Sequence, residues 1–369
     1  MKKVFVVFGT RPEAIKMCPL VRQLQDRGCF EVKVCVTGQH RQMLDSVLRA
    51  FQVEPDYDLQ IMQPRQTLFD VTARVLERMR PVLERERPDV VLVQGDTTTA
   101  YSAALAAFYM GIPVGHVEAG LRTYDIRNPY PEEMNRRSID MMSAYHFAPT
   151  AAAAENLRRE HIPQDGIFVT GNTSIDAMKL TVTDDFTHEL LDWAGEDRLV
   201  LLTAHRRESL GQPMAYMFRA IRRVVEQTPD VKVLYPVHPN PDVTECARAH
   251  LSGVDRVRLA DPLDVYEFHN ILARSYLVLT DSGGIQEEAP GLGKPVLVMR
   301  DVTERPEGVA AGTLRLVGTS ETAIYEAFYE LLRDRAAYEN MSRACNPYGD
   351  GNACRRIGDV LEFGTCKQL

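Results

Sequence analysis

Short apolar runs alternate with helical patterns from one end of the chain to the other, and this alternation constrains the fold more than any other sequence feature. Between the first two runs, Met17, Leu20 and Leu24 recur at helical spacing. Alternating strands and helices predict an α/β protein whose parallel sheets carry helices on both faces. The predicted strands are Val4–Phe8, Val32–Val36, Val90–Val93, Val114–Val117, His146–Ala148, Ile167–Val169, Leu199–Thr203, Val231–Tyr235, Val257–Leu259, Leu277–Leu279 and Pro295–Met299.

The strands fall into two series, separated near Gly171–Thr173 and the polar stretch Thr183–Asp197. A chain of 369 residues is also longer than one hydrophobic core usually serves. We therefore expect two doubly wound Rossmann-like domains, an N-terminal one over residues 1–170 and a C-terminal one over residues 171–352. The amphipathic tail, residues 353–369, is expected to pack on the N-terminal domain.

Composition and charge exclude several classes of function. The net charge of −8 argues against a nucleic-acid-binding face, so no nucleic-acid partner is expected. No window approaches the roughly 18 consecutive apolar residues that span a bilayer. The first apolar run ends without a cleavage site, so we expect a cytoplasmic protein with no membrane partner. Seven cysteines without a Cys-x-x-Cys pair predict neither a disulfide framework nor a zinc site, and no metal is expected.

Acidic side chains follow two of the predicted strands, at the edge where doubly wound sheets bind ligands. Asp96 and Glu118 each come just after such a strand, and Glu132 and Glu133 begin a predicted helix that runs to Ser143. Acidic residues are common in first helical turns because of the helix dipole alone. Clustered carboxylates, however, also separate their pKa values into an acid and a base, so three at one rim predict acid–base chemistry.

Basic residues also follow predicted strands. The segment Gly9–Lys16 joins the first strand to a helix, a position suited to phosphate. It contains one glycine where a dinucleotide fingerprint needs three, so no NAD is expected. In the second series, His205 and Arg206 come close after one strand and His238 close after the next. Because the overall charge repels anions, such local cations would have to build any phosphate site.

The sharpest phosphate signal is the turn Ser282–Gly284, where a strand runs into a helix. Glycines let the backbone approach a diphosphate, whose oxygens accept hydrogen bonds from amides at a helix N-terminus. Glu288 lies one turn further along and is placed to accept ribose hydroxyls. The alternative is a tight turn that serves packing only.

These residues belong to long blocks that together resemble the bacterial non-hydrolysing UDP-N-acetylglucosamine 2-epimerases over essentially the whole chain. The departures are small, since Ala204 stands where glycine is frequent and Tyr130 replaces another aromatic residue. The matching blocks are Phe8–Lys16, Gln94–Thr98, Gly115–Arg122, Tyr130–Glu133 with Asn135 and Arg136, His205–Glu208, Asp281–Glu288, Thr303–Glu307 and Asn346–Gly351.

The resemblance implies a homodimer whose subunits are similar to the GT-B glycosyltransferases, with two domains facing a central cleft. It also implies that UDP-N-acetylglucosamine and UDP-N-acetylmannosamine are interconverted without a cofactor. UDP would be eliminated to leave 2-acetamidoglucal and then re-added. The pathway implied is the synthesis of cell-envelope polysaccharide.

By the same resemblance, Asp96 and Glu132 are expected to transfer the proton at C2 of the sugar. Glu118 is expected to position the reacting groups or to relay the proton. The residues expected to hold phosphate or to stabilise the transition state are Arg11, Lys16, Arg136 and His205. In the C-terminal domain, the diphosphate is expected to contact Ser282, Gly283 and Gly284. The ribose is expected to contact Glu288, and the uracil is expected to contact Phe268.

Some members of the family bind a second UDP-N-acetylglucosamine as an allosteric activator. Arg65 is informative here, since members without this control often lack a basic residue at the matching position. Glu132 would be shared with the active site. The other residues that match the activator site are Gln39, His40, Gln42, Arg65, Arg206 and His238.

Three other functions are compatible with parts of the pattern. A glycosyltransferase of the same fold would bind the same nucleotide-sugar, but it needs an acceptor pocket, whereas rim carboxylates suit acid–base work on the sugar. A hydrolysing epimerase shares the early blocks and releases free N-acetylmannosamine with UDP. A nucleotide-sugar sensor has no use for an acid–base pair.

Overall fold

The computed structural model describes residues 1–38, 41–63 and 65–365, with the backbone alone at residues 41–43. The chain forms two compact units. The N-terminal domain comprises Met1–Leu180 and Tyr348–Leu369, and the C-terminal domain comprises Thr181–Pro347. Among the described residues, no helix combines the length and apolar character needed to cross a membrane.

The N-terminal domain is built on one seven-stranded parallel sheet in the order β3-β2-β1-β4-β5-β6-β7. Its strands are β1 (Lys2–Phe8), β2 (Phe30–Val36), β3 (Tyr57–Asp58), β4 (Val90–Gln94), β5 (Val114–Val117), β6 (Tyr145–Ala148) and β7 (Ile167–Val169). Its helices are α1 (Arg11–Asp26), α2 (Arg41–Ala50), α3 (Leu68–Glu86), α4 (Thr98–Tyr109), α5 (Glu132–Met142), α6 (Ala151–Arg159), α7 (Thr173–Thr181) and α16 (Ala353–Phe363).

The C-terminal domain repeats this plan on a six-stranded parallel sheet in the order β10-β9-β8-β11-β12-β13. Its strands are β8 (Arg198–Thr203), β9 (Val231–Pro236), β10 (Val257–Ala260), β11 (Leu277–Thr280), β12 (Val296–Val298) and β13 (Leu314–Leu316). Its helices are α8 (Glu189–Ala194), α9 (Gln212–Gln227), α10 (Pro241–Leu251), α11 (Val265–Arg274), α12 (Ile285–Gly291), α13 (Pro306–Ala310), α14 (Glu321–Arg333) and α15 (Arg335–Ser342). The predicted fold class, two doubly wound Rossmann-like domains, is confirmed.

Helix α1 illustrates how local sequence sets a helix start. The Glu13 amide donates to the Thr10 hydroxyl at 3.5 Å, and the Glu13 carboxylate accepts from the Thr10 amide at 2.7 Å, which forms a capping box. Pro12 stands in the first turn, where a missing amide hydrogen costs nothing. One face of the helix, including Met17 and Leu24, is then completely buried in the domain.

The tail helix α16 packs on α1 of the N-terminal domain. Arg27, at the end of α1, holds it through ion pairs of 2.6 Å to Asp359 and 2.9 Å to Glu362. Gly358 makes room for this arginine, because a Cβ there would lie 2.5 Å from the Arg27 Nε atom. Ile357 is fully buried, so the tail supplies part of the core of this domain.

The observed domain limits lie apart from those expected from the sequence, because α7 and the start of the tail are joined. The Asp176 carboxylate of α7 accepts from the Cys354 amide at 2.9 Å, and the Asn172 amide donates to the Tyr348 carbonyl at 2.7 Å. These contacts bring residues 171–180, which the sequence places in the C-terminal domain, into the N-terminal unit.

Candidate active site

Each domain places its candidate residues where the strand order reverses. In the N-terminal sheet this switch point lies between β1 and β4, which are hydrogen-bonded neighbours. The segment Gly9–Lys16 follows β1, and Asp96 follows β4. Doubly wound folds bind ligands outside the carboxyl ends of the strands at such a point, so these residues are candidates for contact with a ligand.

The turn after β1 is tied to the turn after β4 by Glu13. This carboxylate is fully buried and accepts hydrogen bonds from the Gly9 amide at 3.1 Å and the Thr97 hydroxyl at 2.8 Å. Burial raises the pKa of Glu13, although its hydrogen bonds oppose the shift. Gly9 cannot be replaced without rearrangement, because a Cβ there would lie 2.0 Å from the Thr37 hydroxyl oxygen.

Glu118 is held at the end of β5 by two partners. Lys16 Nζ lies 2.5 Å from its Oε2 atom, and the Gln94 side-chain amide donates to the same oxygen. The Glu118 backbone adopts φ 70°, a left-handed conformation that is costly for a residue with a Cβ and concentrates at functional sites. Because β4 and β5 pair directly, Asp96 and Glu118 follow neighbouring strands of the sheet.

Asp96 lies beside the start of helix α5. The Arg136 guanidinium is 2.5 Å and 3.0 Å from its Oδ2 atom through Nη2 and Nε. The Asn135 side chain donates to the Asp96 carbonyl at 2.8 Å. Both the carboxylate and the backbone of Asp96 are therefore fixed by α5, and Arg136, expected near phosphate, is paired with a carboxylate.

The adjacent residues Glu132 and Glu133 have opposite environments. Glu133 is completely buried, accepts from the Thr123 amide at 3.1 Å and the Tyr124 amide at 3.0 Å, and pairs with Arg136 at 3.2 Å. Glu132 is half-buried, and no hydrogen bond or ion pair engages its side chain within the part of the chain that the structure describes. Glu133 thus shapes the loop before α5, while Glu132 retains a carboxylate that is available for chemistry.

The C-terminal domain uses its own switch point, between β8 and β11. The buried Asp281 carboxylate accepts from the His205 and Arg206 amides at 2.9 Å each. The hydroxyls of Thr203 and Thr280, at the ends of these strands, lie 2.6 Å apart. These bonds join the loop that carries His205 and Arg206 to the loop that opens the Ser-Gly-Gly turn.

Helix α12 begins immediately after Ser282–Gly284 and carries Glu288, which is half-buried. His269 stands behind this carboxylate, with its Nε2 atom 3.8 Å from the Glu288 Oε2 atom and its Nδ1 atom 2.7 Å from the Thr181 hydroxyl. Phe268 is half-buried beside His269, at 6.4 Å between ring centroids. The residues expected to contact diphosphate, ribose and uracil therefore lie in one part of this domain.

Two guanidinium groups flank Gly283. An ideal Cβ on this glycine would lie 3.3 Å from an Arg305 nitrogen and 3.4 Å from an Arg206 nitrogen. Arg305 is held by Glu287 at 2.8 Å, while the buried Arg206 Nε atom has no hydrogen-bond partner among the described residues. The turn thus combines a glycine backbone with local positive charge. An anion site in this chain needs such local charge, because the net charge of −8 repels anions.

His205 stacks on His238, with 5.4 Å between ring centroids and 19° between planes. Burial lowers the pKa of His205, and His238 and Arg206 lower it further, although Asp281 acts in the other direction. The ring is therefore neutral at neutral pH and offers a hydrogen bond where the sequence predicts a phosphate contact. His238 is exposed, so the stack links a surface residue to the half-buried His205.

The remaining predicted residues have different positions. Arg11 is half-buried at the first position of α1, and Arg65 is exposed in a turn before α3 with φ 57°. Gln39 and His40 lie outside the described residues, as does the side chain of Gln42.

A sequence model of the family described as UDP-N-acetylglucosamine 2-epimerase matches residues 22–362. The chain belongs to this family. The family expected from the sequence blocks is therefore confirmed.

Members of the family are similar to this chain over nearly its whole length. The UDP-N-acetylglucosamine 2-epimerase of Bacillus subtilis (strain 168) is 57% identical over 361 residues, which cover 98% of this chain and 95% of that protein. A structure of the S. aureus protein with UDP is 48% identical with a TM-score of 0.92, covering 99% of this chain and 97% of its own. The UDP-GlcNAc 2-epimerase of Neisseria meningitidis, solved with UDP-GlcNAc bound, is 46% identical with a TM-score of 0.89, covering 98% of this chain and 99% of its own.

Several residues that shape the site were not among the candidates predicted from the sequence. They are Glu13, Gln94, Asp281, Glu287 and Arg305, and every one lies inside a block that carries the family resemblance. For all of them except Arg305, the available signal was a polar residue within two or three positions of a buried strand or of a candidate residue. What the sequence does not contain is the partner of each residue, because the partners come from distant parts of the chain.

Proposed function

We propose that this member of the family is a non-hydrolysing epimerase that interconverts UDP-N-acetylglucosamine and UDP-N-acetylmannosamine without a redox cofactor. The proposal depends on which residues lie at the switch points of the two sheets. One holds carboxylates suited to proton transfer, and the other holds a Ser-Gly-Gly turn flanked by two guanidinium groups. Family members solved with UDP or UDP-GlcNAc support the choice of ligand.

The chemistry explains why both kinds of site are needed. The hydrogen on C2 of the sugar is not next to a carbonyl, so its direct removal is too difficult. When the C1–O bond breaks, its electron pair leaves with UDP, and the positive charge that develops on C1 acidifies the C2 hydrogen. Loss of that proton to a carboxylate forms the C1=C2 bond of 2-acetamidoglucal. Protonation of C2 on the opposite face and return of UDP to C1 give the epimer.

In the N-terminal domain, we assign proton transfer at C2 to Asp96 and Glu132. Asp96 is anchored by Arg136 at 2.5 Å, which fixes the position that efficient proton transfer requires. Glu132 has no competing partner among the described residues. Glu118 shares its carboxylate with Lys16 at 2.5 Å, so we assign this pair to positioning and relay, with Lys16 also able to donate to phosphate.

In the C-terminal domain, we assign the diphosphate to Ser282–Gly284, the ribose to Glu288 and the uracil to Phe268. Arg305 joins this assignment because it flanks Gly283 and is held in place by Glu287. Guanidinium groups suit departing phosphate because they remain charged at any physiological pH and donate several hydrogen bonds. His205, which is neutral here, would donate a hydrogen bond to the developing anion.

The decisive test follows the C2 hydrogen. When the protein is incubated with UDP-N-acetylglucosamine in heavy water without added NAD, we expect NMR to detect deuterium at C2 of both UDP-sugars. The glycal route requires this exchange because the abstracted proton passes through a carboxylate that equilibrates with solvent. Retention of the original hydrogen in the mannosamine product would refute the mechanism, and accumulation of free N-acetylmannosamine would identify a hydrolysing enzyme.

We further propose that UDP-N-acetylglucosamine also activates the enzyme. Two residues assigned to the activator contact residues assigned to the active site: His238 stacks on His205, and the Arg206 guanidinium flanks Gly283. Arg65 is exposed, and within the described residues no hydrogen bond or ion pair engages its guanidinium. A ligand bound to His238 and Arg206 could therefore alter the nucleotide site directly.

Activation predicts sigmoidal dependence of rate on UDP-N-acetylglucosamine and no reverse reaction from pure UDP-N-acetylmannosamine until UDP-N-acetylglucosamine is added. Arg65→Ala should weaken this response, whereas Arg248→Ala, which removes an exposed arginine from the last turn of α10, should not. Initial-rate measurements in both directions test the prediction. Hyperbolic kinetics with full reverse turnover would contradict it.

The homodimer and the role in cell-envelope polysaccharide synthesis are also part of the proposal. Exposed apolar side chains at the end of α4, namely Phe108, Tyr109 and Met110, support an association surface on the N-terminal domain.

A further inference from the structure

His116 is a buried histidine of β5 for which the proposed mechanism has no use. Its side chain is 1% exposed, so it does not reach a ligand. Both ring nitrogens are engaged, with Nδ1 2.6 Å from the Asp140 Oδ1 atom and Nε2 2.8 Å from the Gly95 carbonyl oxygen. A carbonyl oxygen only accepts hydrogen bonds, so Nε2 carries a hydrogen and donates it to Gly95.

Asp140 determines what the other nitrogen does. Burial alone would raise the pKa of this fully buried carboxyl, but His116, Arg122 and His146 reverse the effect and lower it. Its Oδ2 atom lies 2.7 Å from an Arg122 nitrogen. The ionised carboxylate accepts the hydrogen bond from Nδ1, so both ring nitrogens are committed to protein acceptors.

The two donations place the ring between the loops that carry the catalytic candidates. Gly95 immediately precedes Asp96 and has φ 68°, so its carbonyl orientation sets the direction in which Asp96 leaves β4. Asp140 also accepts from the Gly120 amide at 3.3 Å, two residues after Glu118. One buried network therefore contacts the backbone beside both rim carboxylates.

We propose that His116 is a positioning residue for Asp96, which it holds through the Gly95 carbonyl while Asp140 orients the ring. This inference rests on the proposed function, because it gives Asp96 the proton-transfer role. His116 does not exchange a proton with the sugar, since its ring is buried and both nitrogens are committed to protein acceptors. The Asp140–His116–Gly95 chain instead fixes the backbone from which the Asp96 carboxylate projects.

Two variants separate the two hydrogen bonds. In His116→Gln the amide nitrogen occupies approximately the place of Nε2 and can donate to Gly95. In His116→Asn the amide reaches only the place of Nδ1, so it donates to Asp140 and leaves the Gly95 carbonyl without its donor. Both variants replace the ring by a neutral amide, and they differ by one methylene group and by the hydrogen bond that remains.

We expect H116N to lose about 10²-fold in kcat with KM little changed, because displacement of a reacting group by about 1 Å has an effect of that order. H116Q is expected to recover most of this loss, and the two folded variants should share one affinity for UDP. Equal kcat values in the two folded variants, or a loss confined to KM, would overturn the proposal.

Asp140→Asn is the second route, used if the His116 variants do not fold. It retains an oxygen that accepts from Nδ1 but removes the charge that orients the ring, so kcat should fall while KM is unchanged. An unchanged kcat in folded D140N would refute the inference. Deuterium exchange by the wild-type protein is the reference throughout: if the wild type itself shows none, the proposed function fails, whereas exchange that no variant alters rejects only the role of His116.

Discussion

Asp96→Asn is expected to reduce kcat by about 10²–10⁴-fold and to reduce deuterium exchange at C2 by the same factor. The asparagine side chain keeps the volume of the carboxylate and can still accept a hydrogen bond from Arg136. It cannot take up and return a proton, so both directions of the reaction lose the group that acts at C2. Steady-state rates and NMR of the UDP-sugars in heavy water measure the two effects.

Asp89→Asn is the matched control for this substitution. Asp89 lies just before β4, at the opposite end of the strand that leads to Asp96, and accepts from the Lys3 amide at 2.6 Å. Its replacement should leave exchange at the wild-type rate, because this end of the sheet lies away from the switch point. A D96N protein that is folded and exchanges C2 hydrogen normally would rule out Asp96 as a proton-transfer residue.

We expect substitution of Glu132 to affect activity and substitution of the adjacent Glu133 to affect stability. Glu132→Gln is expected to lower kcat by about 10²-fold or more without changing the unfolding temperature, because no described protein group depends on this carboxylate. Glu133→Gln should cost about 1–3 kcal/mol of the free energy of unfolding, because it weakens the buried contacts to Thr123, Tyr124 and Arg136.

Urea unfolding and steady-state kinetics on both variants test this division. The comparison is sharp because the substitutions are chemically identical and one residue apart. The assignment fails if E132Q retains full activity, or if E132Q is the variant that loses stability.

The positions of the strand-end residues were predictable because buried parallel strands are continuous apolar runs, whose ends are easy to locate. All the predicted strands are present with small shifts at their ends. The two that were not predicted, Tyr57–Asp58 and Leu314–Leu316, are short strands at sheet edges, where the apolar signal is weakest. Asp96 and Glu118 were identifiable by position alone, since both follow strongly apolar strands.

The pairing of these residues was not predictable in the same way. Lys16 and Glu118 are far apart in the chain and meet only because β1, β4 and β5 lie side by side. The different fates of Glu132 and Glu133 follow from about 100° of rotation around α5, which residue type does not reveal. The observed domain limits differ from the predicted ones for a similar reason. Asp176 contacts the start of the tail, and the whole C-terminal domain separates these two segments in the sequence.

The return of α16 to α1 has a consequence for how the protein is made. Domains generally fold as units as they emerge from the ribosome. Residues 181–347 are complete before the tail has been synthesised, whereas the earlier domain still lacks the helix that Arg27 anchors. The C-terminal domain can therefore fold before the N-terminal domain is complete, although the N-terminal domain is synthesised first.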